Sequence, residues 1–330
     1  MSDKKKKTVL SGMRPTGPLH LGHLAGPLRD WIKMQSQYHC FYTIVTWHAL
    51  SSEYQNSKVI KEYIFEVAAD WMSIGLEPNK SVLFVQSEVK EHAELHLLLS
   101  MFTPLPWLER VPTFKEMQRE NPDKELNTYG FLGYPMLQAA DILIYKADVV
   151  PVGEDQAYHL EFTREVARRF NRLCGKVFPE PQTLLSEVPR VAGTDGRKMS
   201  KSYGNAIFLK DPPQIVRQKI ETMKTDIRRK RRTDPGEPND CPAFTLHKAF
   251  VNQEKREELA QGCRTAGIGC LECKNVVIER LEEILSPYRE KRKSFNKNRQ
   301  LVWDILEEGN GRARRAAQRT MEEVRAHLGF

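Results

Sequence analysis

Two histidines stand three residues apart in Ser11-Gly12-Met13-Arg14-Pro15-Thr16-Gly17-Pro18-Leu19-His20-Leu21-Gly22-His23. Glycines let a backbone come close to a phosphate, and a helix that begins there offers free N–H groups and a positive dipole end. His20 and His23 share one face of the first turn, and each can donate a hydrogen bond to a phosphate oxygen. A second segment, Gly193-Thr194-Asp195-Gly196-Arg197-Lys198-Met199-Ser200-Lys201-Ser202, places two lysines between glycines. Lysine is a point charge on a long stem and suits a polyphosphate that moves. The plain alternatives are a Gly/Pro loop with solvated histidines and an ordinary basic loop.

Cys241, Cys263, Cys270 and Cys273 are separated by 21, 6 and 2 residues. Cys270 and Cys273 lie near one helical turn apart, so both sulfurs can face one site. Four thiolates in this pattern suit tetrahedral Zn²⁺ or an iron–sulfur cluster, and unliganded reduced thiols stay open. Cys40 and Cys174 stand alone, as core or surface thiols. The run Arg228-Arg229-Lys230-Arg231-Arg232 precedes the cluster, and Arg289, Lys291, Arg292 and Lys293 form a second basic patch. Each is a solvated face or a phosphate clamp.

These residues need elements to position them, and 330 residues are enough for about two domains of roughly 100–200 residues each. With 40% apolar and 28% charged residues the chain is no disordered polymer, and its net charge of +8 permits a polyanionic partner. The apolar runs fall short of the roughly 20 residues of a membrane span, so no membrane partner is expected. Lys4 to Lys7 are followed only by Thr8-Val9-Leu10, which is no secretory segment, and six cysteines are too few for a disulfide scaffold. A reducing cytoplasm is the expected compartment.

Hydrophobic spacing predicts strands over 8–11, 41–45, 81–86 and 149–152, and helices over 20–37, 58–74, 90–102, 134–145 and 155–171. That alternation predicts an α/β fold, a Rossmann-like doubly wound parallel sheet whose ligands sit at the carboxyl ends of the strands. The character changes near residue 210. Asp211-Pro212-Pro213 reads as a helix start with Asp211 as N-cap. Helical faces recur over 273–288 and 311–328, broken by a loop over 228–240, and no strand is expected. The expected division is a catalytic domain over 1–210, an all-helical domain over 211–310, and a terminal helix over 311–330 that packs back on the first.

His-Leu-Gly-His and Lys-Met-Ser-Lys-Ser together resemble the paired signatures of class I aminoacyl-tRNA synthetases. The stretches between them narrow the resemblance. Val152-Gly153-Glu154-Asp155-Gln156, His159-Leu160-Glu161-Phe162-Thr163-Arg164, Tyr134-Pro135-Met136-Leu137-Gln138-Ala139-Ala140-Asp141 and Trp47-His48-Ala49-Leu50 resemble the tryptophanyl-tRNA synthetase family, over nearly the whole chain. Tyrosyl-tRNA synthetases share the architecture and are the nearest rival; a noncatalytic, RNA-binding paralogue is the rival of another class.

The resemblance implies activation of L-tryptophan by ATP and transfer to tRNA(Trp). It implies that His20, His23, Lys198 and Lys201 are catalytic. Arg14, Pro15, Thr16, Gly22, His23, Gly153, Glu154, Asp155, Val191 and Lys198 through Ser202 (Met199, Ser200 and Lys201 between them) would bind ATP. Asp141 would accept the indole N–H, with Gln156, Tyr134, His48, Gln138 and Val152 completing the amino-acid pocket. Without the resemblance, Asp141 reads equally as an exposed helix carboxylate. Thr46 departs from the Asp that family members often carry two residues before His48, and Gln138 stands where some have Met. Mg²⁺ would be carried mainly by the phosphates. The cysteines resemble those of a bacterial subset that holds a [4Fe–4S] cluster in the anticodon-binding domain, with zinc the lesser alternative. The family is homodimeric, and that is expected here.

Overall fold

The computed structural model describes residues 6–111, 128–153, 157–185 and 191–330, the side chain of Leu185 excepted. Five short strands form one parallel sheet: β1 (Thr8–Met13), β2 (His39–Ile44), β3 (Ser81–Val85), β4 (Val149–Val152) and β5 (Gln182–Leu185). Their order is β3-β2-β1-β4-β5. Thr8 pairs with His39 through to Met13 with Ile44, and Val9 pairs with Val149 on the other side. The chain builds outward from β1 in one direction and then in the other. The order therefore reverses beside β1, and a crevice opens at the carboxyl ends of β1 and β4.

Both faces of the sheet are buried, as in other parallel sheets. Tyr42, Ile44, Leu83 and Val85 join one core with Trp31 and Trp71, while Phe41, Val82 and Phe84 join another with Leu95, Met136 and Phe170. Alternate residues of one strand face opposite layers, so each strand feeds two cores. Among the described residues the longer helices of this half are α1 (Arg29–Gln37), α2 (Thr46–Glu53), α3 (Ile60–Ile74), α4 (Glu91–Ser100), α5 (Tyr134–Ile144) and α6 (Ala157–Cys174).

After β5 the elements are helical: α7 (Pro213–Glu221), α8 (Phe244–Phe250), α9 (Gln253–Arg264), α10 (Cys270–Lys297) and α11 (Arg299–Leu328). The last of these covers the edge of the sheet. A Cβ on Gly309 would lie 1.8 Å from the Leu83 carbonyl oxygen, and Asn310 Oδ1 accepts the Val85 N–H at 2.9 Å. Only glycine permits that approach, and the contact closes an exposed strand edge. Ala313, Ala317, Met321 and Val324 then pack into the core of β2 and β3. No helix among the described residues is long and apolar enough to cross a membrane.

Several expected elements differ. The helix expected over 20–37 is broken into Leu21–His23, a π turn at Leu24–Leu28, and α1. Gly26 leaves the helical region (φ −101°, ψ −113°) and Pro27 has no N–H to give. β1 extends through Met13, past the expected end at residue 11, and β5 was not expected at all. Asp211 is not an N-cap; Pro212 stands there, and Asp211 Oδ2 accepts the Phe208 N–H and the Lys219 ammonium instead. The terminal helix begins at Arg299, ahead of the expected 311.

Candidate active site

The loop leaving β1 is shaped by places where a side chain does not fit. A Cβ on Gly12 would lie 2.8 Å from Val45 Cγ1, and Gly17 has a φ of +120°. His20 caps the short helix that follows. Its Nδ1 accepts the Gly22 N–H at 3.1 Å, and His23 Nδ1 accepts the His20 N–H at 3.1 Å. A Cβ on Gly22 would lie 2.9 Å from the His20 ring. Because both Nδ1 atoms accept, each neutral ring carries its proton on Nε2. Burial, and then the Lys201 charge, lowers the His20 pKa to about 4; burial, His20 and Lys201 hold His23 well below its ordinary value. Two neutral Nε2–H donors result.

Lys201 comes to this loop from a distant segment. Its ammonium donates to the Gly17 carbonyl at 2.9 Å and lies 3.5 Å from the Thr16 hydroxyl. Burial and the charge of Arg14 lower its pKa to about 8. The segment is framed by Asn205, which the sequence reading missed. Asn205 receives the Ser200 N–H and donates to Asp195 and to the Lys198 carbonyl. A Cβ on Gly193 would lie 2.3 Å from that amide, so the glycine makes room for the frame. Met199 is buried and returns its N–H to the Val191 carbonyl, Ser200 and Ser202 share a hydrogen bond, and Lys198 projects outward, exposed. Arg14 is exposed beside Ser52, whereas Pro15 is buried. The structure thus brings His20, His23, Thr16, Gly17 and Lys201 together and leaves Lys198 on the rim.

A second polar centre lies below the ends of β2 and β3. Asp141, on α5, is 3% exposed. It accepts from His48 Nε2 at 2.8 Å, from His92 Nδ1 at 2.6 Å, and from Gln86 Nε2 at 2.8 and 2.7 Å. Burial alone would raise its pKa, but the bonds from His48 and His92 hold it below the ordinary carboxylate value. Tyr134 lies near His48, its hydroxyl 3.1 Å from His159 Nε2. Gln138 is half-buried on α5, Val152 ends β4, and Gly153 follows it. Glu154, Asp155 and Gln156 lie outside the described residues. At Thr46, in place of the expected carboxylate, the hydroxyl accepts the Ser87 N–H at 3.2 Å. His92 and Gln86 were missed; the usable signal was Gln86 at the carboxyl end of a strand.

The four cysteines line one cavity with Asp226, Arg229 and Lys274, and all are free thiols. Cys273 Sγ lies 3.4 Å from His247 Nε2. Burial and the neighbouring thiols push the Cys273 pKa up to about 12. Among the described residues no three His, Cys, Asp or Glu side chains stand in ion-ligating geometry. The basic run beside them is partly committed. Arg228 bonds Asp226 and Asp240, Arg229 donates to the Ile268 carbonyl, and Arg232 pairs with Glu272. Lys230 and Arg231 are exposed.

The family model described as tRNA synthetases class I (W and Y) matches residues 2–286. The tryptophan–tRNA ligase of Thermotoga maritima is 51% identical over 319 residues, covering 96% of this chain and 97% of its own. The chain belongs to the tryptophan–tRNA ligase family of class I synthetases. The Aquifex aeolicus ligase is 44% identical, with 96% and 98% covered. The tryptophanyl-tRNA synthetase of Campylobacter jejuni, crystallised with ADP and tryptophan, superposes with a TM-score of 0.86 at 33% identity, over 98% of this chain and 100% of that one. A tyrosyl-tRNA synthetase of Archaeoglobus fulgidus shares the fold at 23% identity and a TM-score of 0.68. That likeness is one of fold alone, so the tryptophan branch is the better match. The expected α/β class with its helical C-terminal half is present.

Proposed function

We propose that the chain activates L-tryptophan with ATP and transfers it to tRNA(Trp). The observation that carries this is the docking of Lys201 onto the Thr16–Gly17 turn, beside two neutral histidine donors. The tryptophan carboxylate attacks the α-phosphorus, forming the P–O bond of the adenylate as the bond to pyrophosphate breaks. No protein nucleophile is needed, and catalysis is positioning and charge stabilisation. His20 and His23 donate Nε2–H bonds to phosphate oxygens, and Lys198 and Lys201 neutralise the departing pyrophosphate. Arg14, Pro15, Thr16, Gly22, Gly153, Glu154, Asp155, Val191, Met199, Ser200 and Ser202 line the ATP site, with Mg²⁺ on the phosphates. Asp141 accepts the indole N–H; His48, Tyr134, Gln138, Val152 and Gln156 complete the amino-acid site. Tryptophan-dependent ATP–pyrophosphate exchange is the test. Exchange supported by tyrosine alone, or no exchange with wild-type tRNA binding, overturns it.

The assignment of 1–210 to catalysis, 211–310 to anticodon reading and 311–330 to a terminal helix belongs to the same proposal, as do a cytoplasmic homodimer and the RNA contacts of the exposed Lys230 and Arg231. Leu97, Met101 and Leu105, all exposed along one stretch, support a dimer face.

What supports a [4Fe–4S] cluster at the cysteine cavity is that four free thiols from three separate segments wall one space. Cys241, Cys263, Cys270 and Cys273 would hold it. When bound, such a cluster supplies a redox-active crosslink between those segments. Arg229 and Lys274 would face its negative charge from within the same cavity. Broad visible absorbance with stoichiometric iron and sulfide is expected of anaerobically purified protein. Colourless protein, with zinc or with no metal, removes the cluster.

A further inference from the structure

The Asp141 carboxylate is saturated in this structure. An ionised carboxylate offers about four lone-pair sites. His92 takes one on Oδ1, His48 takes one on Oδ2, and Gln86 Nε2 reaches both oxygens. An indole N–H therefore gains an acceptor only where one of these donors withdraws. Burial separates the candidates. His92 and Gln86 are each 0% exposed, whereas His48 is 9% exposed, on the helix that leaves β2.

His92 is also anchored from behind. Its Nε2 lies 2.7 Å from the hydroxyl of Tyr145, itself a buried residue. An acceptor-only carboxylate requires a proton on the nitrogen that faces it, so the neutral ring is the Nδ1–H tautomer. Nε2 then accepts the Tyr145 O–H. The chain Tyr145 O–H to His92 Nε2, and His92 Nδ1–H to Asp141 Oδ1, fixes both the tautomer and the ring plane.

We infer that His92, held by Tyr145, is a positioning residue for tryptophan recognition: it pins Oδ1 of Asp141 so that Oδ2, released by His48, meets the indole N–H. The inference rests on Asp141 as the indole acceptor. His48 is the displaceable donor, occupying in the free protein the place the substrate takes. His92 touches no substrate, and its effect passes through the carboxylate.

The test compares pyrophosphate exchange with tryptophan and with its benzothienyl analogue, in which sulfur replaces the N–H. Two substitutions divide the histidine. His92→Asn places an amide N–H near the Nδ1 position and keeps the donor to Asp141. His92→Gln places it near Nε2 and loses that donor. Expected is a fall of about tenfold or more in the preference for tryptophan in His92→Gln, from the loss of a hydrogen bond to a charged group. His92→Asn should stay within about threefold of wild type, and the ATP dependence should be unchanged in both. Should His92→Gln not fold, Tyr145→Phe serves, with an expected loss of about threefold in the same preference. Equal preferences in His92→Gln and His92→Asn, or unchanged preference in Tyr145→Phe, overturn the inference alone. A wild-type protein that uses the sulfur analogue as well as tryptophan removes the Asp141 reading beneath it.

Discussion

Asp141 and Asp70 are both buried aspartates, 3% and 0% exposed, yet they are pushed in opposite directions. Asp141 sits below its ordinary pKa, because burial, which would raise it, is outweighed by the bonds from His48 and His92, both within 2.8 Å. Asp70, on α3, is raised to about 6, burial first among the causes. Its donors are three, as at Asp141, but two of them are farther: the Leu19 N–H at 3.3 Å and Arg292 Nε at 3.4 Å, beside the Tyr288 hydroxyl at 2.7 Å. Arg292 is shared, and its closer bond goes to Glu66 at 2.9 Å. Burial thus accounts for the direction at Asp70 but not at Asp141. The closeness of the donors decides, and a cation divided between two carboxylates does less for each. The positions differ too. Asp141 lies under the proposed amino-acid site, whereas Asp70 ties the residue before His20 to α10, the helix that begins at Cys270.

The sharpest way to break this comparison is Asp141→Asn. The amide turns an N–H toward a histidine N–H and loses the charge, so kcat/KM for tryptophan should fall by about 10²–10³. The KM for ATP should hardly move. Pyrophosphate exchange with each substrate varied in turn separates the two. Asp70→Asn should do the reverse, lowering kcat/KM for ATP about tenfold through the loosened Leu19–His20 backbone while leaving the tryptophan KM in place. If both substitutions raise the tryptophan KM alike, the two centres are one site and the contrast is lost.

Much of the loop after β1 was legible in the sequence, since backbone demands show as glycines: Gly12, Gly17 and Gly22 each stand where a Cβ would clash or strain. Asp141 and His48 were both expected in the pocket, but their bond to each other was not. Periodicity reports which face of an element is buried; it does not report which polar group another element brings to meet it. His92, Gln86 and Asn205 acquire their roles from partners distant in the chain, and no local spacing announces that. Asp70 did leave a trace. It lies among Phe65, Ala68, Ala69, Trp71 and Met72, all buried, and a carboxylate on such a face asks for a partner. β5 is four residues beyond a Pro-rich turn, too short to show an alternating pattern.

The pH dependence sharpens the contrast further. With its pKa raised to about 6, Asp70 favours the fold most when protonated; that contribution is full below about 3.8 and lost as pH rises through 6. Asp141 has the opposite sign, contributing above its ordinary value and losing that only below it. Lowering the pH from 7 to 5.5 should therefore protonate Asp70 and spare Asp141. The expected fall is about threefold in kcat/KM for ATP, and Asp70→Asn should flatten it. His20, at about 4, does not titrate in this window. At the other end Lys201, lowered to about 8, should lose its charge and draw kcat/KM for ATP down again. Lys201→Arg should push that upper limb out of range, because a guanidinium does not deprotonate there.

The smallest effect asks whether one donor changes the state of Asp70 as the comparison requires. Tyr288 is 1% exposed and gives its hydroxyl to Asp70 Oδ1. Tyr288→Phe removes that donor and keeps the ring packing, so the ionised form loses support and the Asp70 pKa must rise further. The acidic limb should move toward neutral pH by less than about one unit, and unfolding in denaturant at pH 7 should cost about 1–2 kcal/mol. Tyr145→Phe is the control at the other centre. Its hydroxyl lies on His92 and not on the carboxylate, so Asp141 keeps its N–H donors and the limb should stay where it is. A limb that moves in Tyr145→Phe and stays in Tyr288→Phe would reverse the assignment of the pH-sensitive carboxylate.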